Sequence, residues 1–293
     1  MSSKRGSRLG GAMARARLES ERAREYAEDA RARSPVVDLG LDVIERDRLR
    51  LGGLLSGALA FRMFLWLLPF TLVLVGALGA VTAIVGDAPD DLSDELGLQG
   101  VLADLVREGG RQRGWWIALL IGLAGTAYAG LGAMRALSIS HAAAWGIRPE
   151  RLRRPLWASL WLFVVVVGLL ALSGVSTWLR ERSGPVGSLV TILVVGVVFA
   201  VVWLRVSASL PHRDVPRRML VPGAILVAVG AQGLNLLTVY YLAGQAERAT
   251  STYGAIGAAL TILLWLFILA RLAVAGAMLN AELTQRAARR REA

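Results

Sequence analysis

Three arginines interrupt otherwise apolar stretches of the chain: Arg62, Arg135 and Arg271. A charged side chain at the centre of a membrane helix costs about 2.5–3.5 kcal/mol on insertion scales, so it marks a functional position by default. The guanidinium stays protonated and presents a planar fork of donors that fits a phosphate or a carboxylate. Recognition of an anionic group is therefore the chemistry these residues could do. Gln232, Asn235 and Thr238 recur at three-residue steps along another apolar stretch, and Glu282 closes the last one. Arg62, Arg135, Arg271, Gln232, Asn235 and Glu282 together define a candidate polar cavity open to the cytosol. A structural reading competes with it. Arg62 and Arg135 would snorkel to headgroups, Arg271 would pair with a carboxylate or backbone carbonyls, and the amides would hydrogen-bond between helices.

Other chemistries find little support. Cysteine is absent, which removes disulfides, thiolate nucleophiles and thiolate-bound metals. The two histidines, His141 and His212, fall in predicted loops, far apart in sequence and without a second ligand at metal-binding spacing. No phosphate-binding glycine loop, nucleophile elbow or zinc-protease helix motif occurs. Asp90, Asp91, Asp94 and Glu95 could gather a divalent cation. Such an acidic run reads first as a solvated helix start that favours the helix dipole, and only second as a metal candidate. No catalytic residue and no cofactor is expected.

The elements that must position these residues are membrane helices. The 293 residues are 55% apolar and 19% charged, with a mean hydropathy of +0.53, on the membrane side of soluble composition. A bilayer core needs about 20 apolar residues at roughly 1.5 Å rise each. Six stretches meet that need, at about 54–85, 115–139, 156–179, 186–204, 219–242 and 253–283. Pro69 lies inside the first and predicts a kink. Pro185 and Pro222 fall where the fourth and fifth begin, a favoured place for proline. Trp115-Trp116, Trp157, Trp178 and Tyr240-Tyr241 sit at span ends, as in interfacial belts. Gly122, Thr126 and Gly130, like Gly53 and Gly57, are small residues at four-residue steps. They read as packing positions within the bundle, with a dimer contact as the alternative. Nothing else indicates a homo-oligomer.

Outside the spans, residues 1–35 form a charged tail, helical or partly disordered, and residues 286–293 a basic one. Between 36 and 50 the pattern is amphipathic, with Val37, Leu41 and Ile44 at helical spacing. That segment is either a helix lying in the membrane interface or a surface helix packed on the ends of the bundle. The acidic loop 86–114 is expected to carry a short amphipathic helix over the outer mouth. The net charge is +11, and every basic residue but Lys4 is an arginine. The arginines concentrate before Leu54, in loops 139–155 and 205–218, and after Leu283. Every second connection is basic, so both termini are expected in the cytoplasm. The same placement at span ends argues against a nucleic-acid partner. The N-terminal region also lacks the pattern of a secretory signal.

Several of these stretches resemble the YihY/BrkB family of bacterial inner-membrane proteins, once described as ribonuclease BN. The first span contributes Ala58-Leu59-Ala60 followed by Pro69, and the second Arg135-Ala136-Leu137 leading to Ala144-Trp145-Gly146. Before the fifth come Leu210-Pro211-His212-Arg213 with Val215-Pro216, then Pro222-Gly223-Ala224. The last span adds Tyr253-Gly254, Ile256-Gly257, Trp265, Gly276-Ala277 and Asn280-Ala281-Glu282. The likeness covers roughly 36–285. Arg62 departs from it, since the family more usually has an uncharged, often aromatic residue there. The resemblance implies an all-α, polytopic protein of the inner (cytoplasmic) membrane, linked to envelope integrity and transport. It carries over no substrate and no catalytic residue.

The expected function is support of the cell envelope, by transport or flipping of an anionic or amphipathic lipid-like substrate, with membrane lipids as partners. The alternative is a non-transporting scaffold that recruits envelope-building partners through its cytosolic arms and outer loop.

Overall fold

The computed structural model describes residues 31, 33–85, 114–148, 160, 163, 168, 185–237 and 254–292. Every regular element among them is helical. The order is α1 (Pro35–Leu49), α2 (Gly52–Val85), α3 (Trp115–Trp145), α4 (Pro185–Ser209), α5 (Val221–Leu237) and α6 (Ala255–Glu292), with a 3-10 turn at Arg217–Leu220 leading into α5. Within α2, α3, α4 and α6 lie stretches long and apolar enough to cross a membrane. These are the first, second, fourth and sixth of the predicted spans. The fifth is described for 17 residues, to Leu237. Of the third, only residues 160, 163 and 168 are described, each of them helical. Phe163 lies beside α2, its ring edge-on to Phe70 with centroids 5.7 Å apart. The predicted outer-loop helix lies outside the described residues.

Local sequence sets the helix ends. Ser34 is extended (φ −146°, ψ 120°), as a residue before proline prefers, and Pro35 opens α1. Between α1 and α2 the chain turns on Leu51, a non-glycine residue at φ 55°. That left-handed conformation costs roughly 1–2 kcal/mol. Leu51 donates to the Arg48 carbonyl and accepts from the Leu55 amide, so one residue closes α1 and opens α2. α3 ends at Gly146 (φ 63°): the Gly146 amide donates to Ala143 and the Ile147 amide to Ala142. This is the paired cap that satisfies two orphan carbonyls at a helix end. The Ala142–Ala144 run carries α3 past the span boundary expected at 139. His141 is therefore a buried helical residue, not a loop residue as the sequence predicts. α6 likewise runs on to Glu292, through good helix formers (Gln285, Ala287, Ala288) and a basic last turn that suits the dipole.

Close packing depends on missing side chains. α2 and α3 run antiparallel. A methyl on Gly76 would reach 2.6 Å from the Leu119 amide nitrogen, and one on Gly122 2.7 Å from that of Val73. One on Gly125 would come 2.8 Å from the Pro69 ring, so α3 makes room where the proline interrupts α2. Thr126 and Gly130 are also buried, whereas Gly53 and Gly57 face open space among the described residues. Leu59, Ala60, Met134, Leu137, Leu266 and Ala270 form a core joining α2, α3 and α6. Large apolar side chains such as Leu120, Ile121, Leu193, Val197 and Leu260 stay exposed, as befits helices solvated by lipid.

Candidate functional site

α1 lies along the C-terminal half of α6, and charge joins the two. Asp38, Asp42 and Arg46 recur every four residues and share one face of α1, with Asp47 beside it. On α6, Arg271 and Glu282 are eleven residues apart, nearly the same face, and Arg286 follows one turn later. Arg271 donates from Nη1 and Nη2 to the two carboxylate oxygens of Asp47, both at 2.7 Å. Such a two-pronged pair fixes the plane of the guanidinium as well as its position. Arg46 donates to Glu282 Oε2 from Nε at 2.9 Å and from Nη2 at 2.7 Å, and it also binds Gln285. Its Nη1 reaches the Ala144 carbonyl at 3.3 Å, which ties α1 to the negative end of α3 as well. Arg286 pairs with Asp42 and, at 2.9 Å, with Asp38.

Burial alone would raise the Asp42 carboxyl. Hydrogen bonds and charge from Arg286 and Arg31 outweigh it and hold the group below its ordinary value of 3.8. Gly52, the first residue of α2, keeps the Asp47 pair possible, because a methyl there would run into the Asp47 carboxylate. The Glu282 side chain is 7% exposed and that of Arg271 39%, so the pair at Glu282 is buried and the one at Arg271 more open.

The other candidate residues lie elsewhere. Arg62 is exposed on α2, with its guanidinium over Gly132 of α3. Arg135, also exposed, is three residues on from Gly132 and so on the same side of α3. Neither has a carboxylate partner among the described residues. Gln232 donates to the Ile192 carbonyl at 3.1 Å and bridges α5 to α4. The side chain of Asn235, and Thr238, Asp90, Asp91, Asp94 and Glu95, lie outside the described residues. Among the described residues no group of three His, Asp or Glu could hold a metal. His212 comes to lie near α3, its ring 6.2 Å from that of Trp145.

Asn280 is buried and clips α5 onto α6. Its Oδ1 accepts from the Gly223 amide at 2.7 Å and its Nδ2 donates to the Leu220 carbonyl at 3.1 Å. The amide it satisfies belongs to the first turn of α5, which has no partner within its own helix. Above the clip, Gly223 and Gly276 face each other without room for an added atom.

The family model described as Virulence factor BrkB matches residues 44–293. The chain belongs to this family. The BrkB match starts inside α1, so it takes in Arg46 and Asp47 along with Arg271, Glu282 and Arg286, and it leaves Asp38 and Asp42 outside. With its long apolar helices, this BrkB-family chain is an integral membrane protein. No curated protein and no solved structure matches it. Sequence reading missed Arg46, Asp47, Asp42 and Arg286. The signal for the first three was the charged side of α1, and for Arg286 the basic end of α6, both of which composition alone assigns to solvent.

Proposed function

We propose that this BrkB-family protein sits in the cytoplasmic membrane with both termini in the cytoplasm. There it supports envelope integrity by binding and moving an anionic, lipid-like amphiphile. The alternation of basic and arginine-poor connections supports the orientation. The observation that carries the functional reading is a charge kept inside a span. Arg271 is held through two donors by Asp47 and is partly exposed. A guanidinium has five N–H groups, so three remain for an incoming anion. Arg62 and Arg135, exposed on the α2–α3 side, would offer a headgroup a second landing place. The reading includes no catalytic step and no cofactor.

A scaffold role has one observation in its favour: Arg46, Glu282, Arg286, Asp38 and Asp42 satisfy one another. Reconstitution separates the two. The full chain is placed in vesicles with a trace of headgroup-labelled anionic phospholipid, and exposure of the label to an impermeant quencher is followed in time. The transport reading expects exchange faster than in protein-free vesicles and slowed by Arg271→Ala. Exchange no faster than in protein-free vesicles leaves the scaffold.

A further inference from the structure

The surface between α2 and α6 is hollowed. Two adjoining hollows of about 350 and 340 Å³ meet at Leu260 and Leu263. Ile256 and Phe64 border the first; Gly57, Phe61 and Phe267 border the second. The groove thus follows α6 from Ile256 to Phe267, eleven residues or about 16 Å. That is close to one leaflet, half of a hydrocarbon core about 30 Å thick. Its bordering side chains are all apolar. Gly57 contributes only backbone, with open space above it among the described residues.

The groove leads to charge. Arg271 comes one turn after Phe267 on α6. Its partner Asp47 lies against Gly52, little more than one turn before Gly57 on α2. The guanidinium is therefore held near the start of α2, one turn of α6 beyond the last residue that borders the groove.

We propose that the groove and Arg271 form one site for a membrane-derived anionic amphiphile. Its acyl chain lies along α2 and α6, and its phosphate takes the Arg271 donors that Asp47 leaves free. This rests on the anion reading of Arg271 above and adds the shape of the substrate. Lipid tails are as apolar as leucine, so the groove draws no chain in by the hydrophobic effect. It acts by register, holding a chain at the depth that brings its headgroup to the arginine. Charge complementarity at one end and an unbroken apolar wall over one leaflet select this occupant over a helix of a second copy, which would bury Arg271 beneath apolar residues. Asp47 is a positioning residue: it orients the guanidinium and offsets its charge when the site is empty.

The test uses the full chain in a neutral detergent and native mass spectrometry. The probes are a 16-carbon lysophosphatidic acid, the monoacylglycerol of the same chain, and inorganic phosphate. The variants are Leu260→Trp and Gly57→Leu, which fill the groove away from the ion pair, and Arg271→Gln. The lysophosphatidic acid should be retained, the other two probes at least about tenfold less, and each variant should lower retention by about tenfold. A photoreactive chain on the unaltered protein should label residues 256–267, which keeps the proposal testable should a variant fail to fold. Retention lost in Arg271→Gln but unchanged in both groove variants would overturn the groove while leaving the anion reading intact. So would inorganic phosphate binding as well as the lipid. Retention unchanged in Arg271→Gln would remove both. A doubled mass abolished by Leu260→Trp would make the groove a contact between copies and overturn the proposal.

Discussion

α6 meets its neighbours in two different ways. Towards α5 it presents Gly276 and Asn280, where backbones touch and a buried amide clips one helix to the other. Towards α1 it presents Arg271, Glu282 and Arg286, where long charged side chains reach across. The first contact works through atoms that are absent, and nothing can be added to it. The second is adjustable, because its charges other than Glu282 keep some access to their surroundings and several carry more than one partner. The proposed site would use that division, with α6 fixed on one side and able to respond on the other.

The difference is open to attack from both sides. Gly276→Leu should be the most damaging change, since the side chain would be forced into the Gly223 backbone. Overpacking costs about 1–3 kcal/mol where neighbours can yield, and a backbone yields less. The yield of monodisperse protein after solubilisation should fall to near nothing. Next, Asn280→Ala should cost about 1–3 kcal/mol, because it leaves the Gly223 amide unpaired in a dry crossing. A lowered Tm in detergent would report it.

Asp47→Ala should cost about 1 kcal/mol or less in global stability, as partly exposed pairs do. It should nevertheless free α1, seen as greater mobility of a spin label at Val36. Gly52→Ala should reproduce that mobility without touching a charge, since its methyl displaces the Asp47 carboxylate. Should Asp47→Ala destabilise as much as Gly276→Leu, the proposed division between rigid and adjustable contacts is wrong.

The smallest effect concerns pH. Asp42 has a folded value below its ordinary 3.8, so the contribution of its pair with Arg286 is complete above that value. It is lost as pH falls through the lower folded value. The same spin label should loosen in that acidic window, and Asp42→Asn should abolish the pH step.

Much of the fold is legible in the chain because membrane spans announce themselves by length. α2, α3, α4 and α6 fall on four of the predicted stretches, since about 20 apolar residues have few other uses. Gly122 is legible as a packing position for a related reason, as small residues at four-residue steps line one face of a helix. Gly53 and Gly57 have the same spacing and a different environment, because spacing says which face but not what stands opposite. His141 is misread for want of three alanines' weight: helix propensity after the apolar run ends carries α3 on to Gly146.

The candidate site divides along the same line. Read along the chain, the residues alone place arginines within apolar spans, set Glu282 on the face of Arg271, and put a charged amphipathic segment before the first span. Which charges meet depends on how the helices pack. Arg271 finds Asp47 and Glu282 finds Arg46 across more than two hundred residues, with neighbouring residues of α1 serving both. Periodicity is a property of one helix and can be counted along the chain. Pairing depends on where a second helix lies, and that is set by Leu51, Gly52 and the turn between α1 and α2, whose effect exists only once the chain has folded.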